Sequence, residues 1–430
     1  MKHIYIKGAG NNWAQGYEMC SGEFAETALD CVRRELEFVD NCPFLVVTHS
    51  LAGGTGSGLG TRITEQIGDE FSDCVRMNVA ITPYHFGEVV VQHYNAVLSL
   101  AKVASSSDAV LLFENEVAQY MCKQTRGIER PTLGDINELI ASHLVPILLP
   151  SNRLSYSDPH TSRSNSISNS NTTRCDLGES IRHLCPHSGF KFIDVKTVPQ
   201  TPKQSVEYTY DTWHSLINTI SRMQIRGSYI DRSTSVSTLR TPGLGAESDH
   251  HHLSTPQRNS TVPSAKDTLI TPSTVQAGIV LASVLTLHGP EAAEESKKVR
   301  IGPKALDSLS QLASPTDKRN PNPTYHYSVP HSSLLYTSTS SSLPSSSSTG
   351  GAVEVRSSQY ALSGYPRSAS LLSNSTAVLP LLQRVTARAQ QLFGTRAYVH
   401  QYNEFGVSET DFVDSFRKVG QIITNYESLK

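Results

Sequence analysis

The sequence predicts an α/β fold with a parallel sheet that is covered by helices on both sides. Three short runs are almost entirely apolar, as strands that are buried on both faces should be. These runs are Phe44–Thr48, Met77–Ile81 and Ala109–Phe113. Apolar residues at helical spacing lie between the runs. Strands that alternate with helices form βαβ units, and therefore a parallel sheet.

Helical spacing is clear in four segments of the first 150 residues. The apolar positions are Phe24, Ala28, Val32 and Leu36; Leu59, Ile63, Ile67 and Phe71; Val97, Leu98, Leu100 and Ala101; and Ile136, Ile140 and Leu144. Thr132 and Asp135 precede the last set with the spacing of a capping box, although Asp stands where Glu or Gln is usual. We therefore predict that a helix begins after Thr132.

From Gly189 onward the pattern changes to strand-like stretches that are separated by long connections. These stretches read FKFIDV, GIVLASVLTLHG and SASLLS. Amphipathic helices are predicted at Leu379–Phe393 and at Ser408–Tyr426, with Ser408 as the N-cap of the second. This part of the sequence predicts a smaller α+β domain with a helical C-terminal element on its outside.

Polar, serine-rich segments interrupt the folded parts of the chain. They are Ser151–Thr173, Arg232–Val275 and Asp317–Gly351. Such segments cannot bury enough apolar surface to offset the entropy of ordering them, so we predict disordered insertions. The predicted organisation is an α/β domain at 1–150, a polar insertion at 151–173, an intermediate α+β domain at 174–375 with insertions at 232–275 and 317–351, and a segment at 376–430 that completes this domain and adds the C-terminal helices.

Composition excludes several classes of protein. The chain has 37 Lys and Arg and 39 Asp and Glu, so its charge is nearly balanced. We therefore expect no basic face that binds nucleic acid. The seven cysteines form no CxxC pair, which favours free thiols in a reducing compartment. The N-terminus lacks a signal-peptide pattern, and the longest apolar run, Ala277–Leu287, is too short to span a bilayer. We expect a soluble, intracellular chain without a membrane partner, and no metal site built from its own histidines and cysteines.

The stretch Ser50–Gly60, SLAGGTGSGLG, follows a predicted strand and leads into a predicted helix. Loops at the carboxyl end of a parallel strand bind ligands, and glycines let backbone N–H groups approach them closely. The positive end of the next helix favours an anion, most often phosphate. The stretch lacks the lysine of a Walker loop, and its G-x-G-x-G spacing departs from the dinucleotide fingerprint. We interpret it as a lysine-free phosphate site, with a bare turn as the alternative.

Several motifs together resemble the tubulin family. The string Gly53–Gly58, GGTGSG, resembles the family's phosphate-binding signature. In chain order, the other matching segments are Gly8–Ala14, Glu114–Glu116, Asp135–Asn137, Ser373–Ala377 and Ala397–Tyr402. Stretches such as GEVVVQHYN and VHQYNEFG are more similar to a divergent member than to the two microtubule-building tubulins. The resemblance thus covers both ends of the chain.

The resemblance implies that 1–150 is a partial, Rossmann-like GTPase domain that binds GTP, with Mg²⁺ beside the phosphates. The residues that it assigns to the nucleotide are Gly10, Asn11, Ser50, Ala52, Gly53, Gly54, Thr55, Gly56, Ser57, Gly58, Asn115 and Asn137. The last two would read guanine, since an amide offers both a donor and an acceptor. Taken alone, they fit a helix cap and a surface position. The family's opening strands and first phosphate loop are expected to lie outside this chain.

The resemblance also assigns Glu179 to hydrolysis of GTP in a neighbouring subunit, because a carboxylate can polarise the attacking water. A first-turn glutamate that is favoured by the helix dipole is the alternative. We expect a structural protein of the cytoskeleton and, at most, a slow GTPase. The implied partners are other tubulins or centriolar and microtubule proteins, in the cytoplasm, centrosome, basal body and cilium. A tubulin-like scaffold that has lost the nucleotide, or a nucleotide-dependent metabolic enzyme, remains an alternative.

Overall fold

The computed structural model describes most of the predicted folded parts of the chain. The described residues are 8–18, 23–40, 42, 44–85, 87, 89–154, 172–201, 212–230, 279–299, 352–362 and 364–429. The insertions predicted at 232–275 and 317–351 lie outside these residues, and so does the centre of the segment predicted at 151–173. The two ends of that last segment are described, and they pair with each other as strands.

The first part of the chain forms the predicted parallel sheet with helices on both sides. Its strands are β1 (Phe44–Ser50), β2 (Val75–Thr82) and β3 (Ala109–Glu114), and its helices are α1 (Trp13–Glu18), α2 (Glu23–Leu36), α3 (Gly60–Glu70), α4 (Gln92–Ser106), α5 (Asn115–Arg126) and α6 (Leu133–Leu148). The strands pair in the order β1–β2–β3, and every pair is parallel. The α/β prediction is therefore confirmed.

One detail of this prediction is wrong, since β1 is not buried on both faces. Of its seven residues only His49 is buried, whereas β2 and β3 are almost wholly buried. Among the described residues β1 pairs only with β2 and is an edge strand. The apolar sequence of β1 therefore correctly predicts a strand, but it does not predict how many other strands pair with it.

The second part of the chain continues the same sheet. Its strands are β4 (Ser151–Leu154), β5 (Thr172–Cys175), β6 (Phe192–Val198), β7 (Val280–His288), β8 (Ala352–Ser358) and β9 (Ser368–Ser375), and its helices are α7 (Leu177–Leu184), α8 (Trp213–Ile225) and α9 (Ala292–Lys298). Within the described residues the order is β1-β2-β3-β6-β9-β7-β8-β4-β5. Strand β6 joins β3 through the parallel pairs Val110–Phe192 and Leu111–Ile193, so a short contact connects the two parts.

The C-terminal helices cover the first part of the sheet through α4. They are α10 (Leu379–Gly394), α11 (Val399–Asn403) and α12 (Glu409–Glu427). Phe412, Val419 and Tyr426 of α12 are fully buried in one apolar cluster with residues of α4 and α10. Eleven of the fifteen residues of α4 are buried, which makes it the helix around which the two ends of the chain pack.

Among the described residues, no helix combines the length and the hydropathy that crossing a bilayer requires.

Candidate phosphate-binding site

The candidate site lies where the carboxyl ends of β1, β2 and β3 meet at one edge of the sheet. Ser50 at the end of β1 is paired with Ile81, and Ile81 is paired with Phe113. Because neighbouring strands are about 4.8 Å apart, the ends of β1 and β3 are about 10 Å apart. A ligand at this edge can reach the segments that follow all three strands.

A tight turn before α1 forms one side of the site, and we call residues Gly8–Asn12 the first loop. The N–H of Asn12 donates to the carbonyl of Ala9 at 2.9 Å, and Gly10 and Asn11 have φ of +53° and +57°. Positive φ at both central residues is typical of a type I′ turn, which favours glycine and asparagine. Asn12 then accepts the N–H of Ala14 at 2.8 Å and so caps α1. The sequence Gly-Asn-Asn therefore builds a turn that leads directly into a helix.

The glycine loop, Ser50–Gly60, packs its backbone directly against the first loop and α1. A Cβ on Gly54 would lie 2.5 Å from the carbonyl oxygens of Ala9 and Asn12, and one on Gly58 would lie 2.1 Å from that of Trp13. Residues Thr55–Leu59 form a π-helical turn that leads into α3. Glycine at positions 54 and 58 is required because backbone meets backbone there.

The remaining predicted residues of the two loops stay accessible. Those that are exposed or half-buried are Gly10, Asn11, Ser50, Ala52, Gly53, Thr55 and Gly56. In the part of the chain that the structure describes, no residue accepts a hydrogen bond from the N–H of Gly10, Asn11 or Gly53. Gly54, Ser57 and Gly58 are buried, and the Ser57 hydroxyl donates to the carbonyl of Gly53. Accessible, unpaired N–H donors are what a phosphate group requires.

The site contains no positive side chain of its own. Neither loop carries a lysine or arginine, and His49 beside Ser50 is 8% exposed with its Nε2 atom 2.9 Å from Asn78 Oδ1. Burial lowers the pKa of His49, which favours the neutral imidazole. The N–H donors of the two loops therefore fit an anion that already carries a bound cation. Phosphate is such an anion, because its oxygens are the usual ligands of Mg²⁺. The dipole of α3 adds partial positive charge at the same place.

Asn95 is the residue of this site that the sequence analysis missed. Its Nδ2 group donates to the carbonyls of Asn11 and Ala52, both at 2.8 Å, and thereby joins the first loop to the glycine loop. Its side chain is fully buried in the first turn of α4. Periodicity offered no signal for it, because Asn95 lies on the same face of α4 as Ser99 and Lys102 and therefore looks like part of a polar face.

The two asparagines that were predicted to read a base occupy different environments. Asn115 is the first residue of α5 and half-buried, directly after β3, at the same edge as the glycine loop. Asn137 is exposed in the second turn of α6. The predicted capping box before it is confirmed, because the Thr132 N–H donates to Asp135 Oδ2 at 2.7 Å and the Asp135 N–H donates to Thr132 Oγ1 at 3.3 Å. Neither asparagine side chain hydrogen-bonds to a described residue.

Glu179 lies in the first turn of α7, away from the glycine loop. Its N–H donates to Oδ1 of the N-cap residue Asp176 at 2.9 Å. Helix α7 packs with Val75 and Met77 at the amino-terminal end of β2, whereas the glycine loop follows the carboxyl end of the neighbouring strand. The Glu179 Oε2 atom is buried and has no hydrogen bond within the described residues. The structure therefore does not bring Glu179 to the phosphate loops of its own chain.

Comparisons with known proteins agree with the motifs and the fold. A sequence model of the family described as "Tubulin/FtsZ family, GTPase domain" matches residues 2–123, which include both loops. The human tubulin delta chain is 30% identical over 423 residues, which are 98% of this chain and 79% of the relative. The mouse tubulin delta chain is 29% identical over 429 residues, with 98% and 78% covered.

A second type of relative matches a shorter region. The tubulin beta-1 chain of Chondrus crispus is 40% identical over 136 residues, which are 31% of this chain and 30% of the relative. The resemblance to the tubulin family is confirmed by these matches, which extend from the GTPase domain to almost the whole chain. The chain therefore belongs to the tubulin family of GTP-binding cytoskeletal proteins, and it is similar to tubulin delta chains.

Proposed function

We propose that the first loop and the glycine loop of this chain hold the phosphates of GTP. The observation that carries the proposal is the group of unpaired, accessible N–H donors at Gly10, Asn11 and Gly53, on two loops that one asparagine joins. The Ser50 and Thr55 hydroxyl oxygens accept the N–H groups of Ala52 and Ala9, both at 3.2 Å, so each hydroxyl hydrogen would still be available to donate to a phosphate. Mg²⁺ bound to the phosphates would supply the positive charge that neither loop provides.

In this proposal, Asn115 and Asn137 recognise the guanine base. Asn115 supports it through its place at the carboxyl edge of the sheet, and both amides are free of hydrogen bonds to described residues. An amide that donates to one polar atom of guanine and accepts from another distinguishes guanine from adenine. Replacing Asn115 with Asp should remove the donor and lower the preference for guanine.

Nucleotide retention by the purified chain tests the proposal. We expect denaturation of the desalted protein to release GTP or GDP, and we expect ATP and NAD to be absent from the extract. Retained ATP or NAD without a guanine nucleotide would favour a metabolic enzyme. A folded chain that retains no nucleotide and shows no change in thermal unfolding with added GTP and Mg²⁺ would favour a scaffold without a ligand.

We further propose that the chain acts as a structural subunit at centrioles, basal bodies and cilia, with another tubulin as its partner. The similarity to tubulin delta chains over 98% of the chain supports this role. A fluorescently tagged chain in ciliated cells should concentrate at basal bodies and should be captured with other tubulins after crosslinking. A uniformly cytosolic signal without captured tubulin would contradict the proposal.

Glu179 is proposed to promote GTP hydrolysis in a neighbouring subunit rather than in its own. Its distance in the fold from the glycine loop supports this assignment, because α7 lies toward the other end of the sheet. Glu179→Gln should slow hydrolysis in assemblies at least tenfold, while GTP affinity of the single chain stays unchanged. Glu294→Gln, in the first turn of α9, is the control and should leave hydrolysis unchanged.

A further inference from the structure

The hydrogen bonds of Asn95 fix the orientation of its amide. Two backbone carbonyls, those of Asn11 and Ala52, face one end of the amide, and a carbonyl oxygen cannot donate. The other end accepts the Trp13 N–H at 3.0 Å and the Tyr402 hydroxyl at 2.6 Å. The nitrogen must therefore face the two loops, and all four hydrogen bonds of this fully buried side chain are satisfied.

The bond to Ala52 determines where the next N–H group points. The Ala52 carbonyl and the Gly53 N–H belong to one planar trans peptide, in which the two groups point in opposite directions. Because Asn95 holds the carbonyl toward the buried side, the Gly53 N–H is directed away from Asn95. This N–H is one of the donors without an acceptor among the described residues.

The segment Ala397–Tyr402 supports the same two loops from the C-terminal part of the chain. The Tyr402 hydroxyl bonds to Asn95, and the carbonyl of Gln401 accepts Nδ2 of Asn12 at 2.9 Å. The Tyr94 hydroxyl donates to the carbonyl of Ala397 at 3.2 Å. Three hydrogen bonds therefore connect this segment to Asn12 and to the first turn of α4.

We infer that Asn95 is a positioning residue for GTP binding, and that Tyr402 couples the docking of the C-terminal segment to the two phosphate loops through it. The inference rests on the proposed function, since it concerns the same loops. Asn95 itself does not contact the ligand. It orients peptide planes of the two loops, and the N–H groups of those peptides would contact the ligand. Loss of its two donated bonds should therefore weaken GTP binding more than the accompanying loss of stability explains.

The chain contains a matched control for Asn95. Asn374 in β9 is also fully buried, and its Nδ2 group donates to the carbonyls of Leu184 and Phe190 at 2.9 and 2.8 Å. Its Oδ1 atom accepts the Tyr426 hydroxyl at 2.9 Å. The two asparagines thus make the same kind of contacts, but Asn374 contacts neither loop.

The experiment compares Asn95→Asp with Asn374→Asp, because each change turns two donors into acceptors that face carbonyl oxygens. The full chain is titrated with a fluorescent GTP analogue and Mg²⁺ at a temperature where circular dichroism shows both variants folded. We expect Asn95→Asp to raise the Kd at least tenfold and Asn374→Asp to change it less than twofold. Equal changes in the two variants would overturn the inference.

Tyr402→Phe and Tyr426→Phe form a milder pair that keeps the test decisive if an Asp variant does not fold. Tyr402→Phe should raise the Kd two- to fivefold and increase amide hydrogen exchange in residues 50–59. Tyr426→Phe should change neither quantity. If both leave Kd and exchange unchanged, the coupling through Tyr402 is wrong; if the unaltered chain does not bind the analogue, the proposed function itself fails.

Discussion

At the scale of single residues, the glycine loop has two kinds of glycine. Gly54 and Gly58 are buried where a Cβ would collide with backbone carbonyls of the first loop and α1. Gly53 is half-buried, and a Cβ there would have only Asn11 Oδ1 near it, at 3.5 Å. The first kind serves packing, whereas at Gly53 the surroundings leave room for a Cβ.

This difference predicts unequal effects of two alanine substitutions on stability. Gly54→Ala should lower the free energy of unfolding by about 1–3 kcal/mol or more, because the contacts at 2.5 Å are to rigid backbone. Gly53→Ala should change it by less than about 0.5 kcal/mol, because 3.5 Å is an ordinary contact. Chemical denaturation of the two variants without nucleotide measures both values. A stable Gly54→Ala variant would show that the two loops can separate without cost.

At the scale of elements, β6 carries a buried ion pair in the middle of the sheet. Asp194 and Lys196 are two residues apart and therefore on the same face of the strand, and both side chains are almost fully buried. The Ser373 hydroxyl of β9 also donates to Asp194, and the Lys196 ammonium lies 5.0 Å from the ring centroid of Tyr229. Each charge is thus compensated by the other and by neighbouring elements.

Removing one partner of this pair should cost more than removing both. Lys196→Met would leave the Asp194 carboxylate buried without a cation, and we expect a loss of about 3–5 kcal/mol in the free energy of unfolding. The double variant Asp194→Asn with Lys196→Met should recover most of this loss, because no buried charge remains. Denaturant titrations of the single and double variants measure the difference. Equal losses in the two would contradict a direct interaction between the charges.

At the scale of the whole molecule, buried neutral histidines make stability depend on pH. Burial lowers the pKa of His143 in α6 and of His288 in β7 to about 4. The His288 Nε2 atom lies 2.9 Å from Ser370 Oγ, and His143 Nδ1 lies 2.9 Å from the carbonyl of Leu139. Between pH 4 and about 6.5 the unfolded chain binds more protons than the folded chain, so stability falls as the pH falls.

The expected loss is about 2 kcal/mol per histidine between pH 7 and pH 5. His288→Gln should reduce this dependence by about that amount, because glutamine does not titrate. His400→Gln, at an exposed position of α11, is the control and should leave the pH dependence unchanged. The free energy of unfolding at the two pH values provides the measurement. If His288→Gln kept the full pH dependence of the free energy of unfolding, the pKa of His288 would not be lowered in the folded chain.

Elements whose signals are local could be predicted from the sequence. The first three strands, the capping box at Thr132, the N-cap at Ser408 and the helices α10 and α12 lie where periodicity and cap residues predicted them. Strands β4, β5 and β8 were missed. β4 and β5 are short strands within a segment that is polar overall. Their place in the sheet depends on pairing with distant strands rather than on their own pattern.

The sequence by itself determined the α/β order of the first part, the glycine string and the family to which the chain belongs, because these depend on residues that are close in the chain. The tertiary structure alone decided that β1 is half-buried, that Gly54 serves packing, and that Asn95 joins the two loops. The bond from Asn95 to Tyr402 spans 307 positions. No local pattern encodes such a contact, since it exists only once the two ends of the chain have packed around α4.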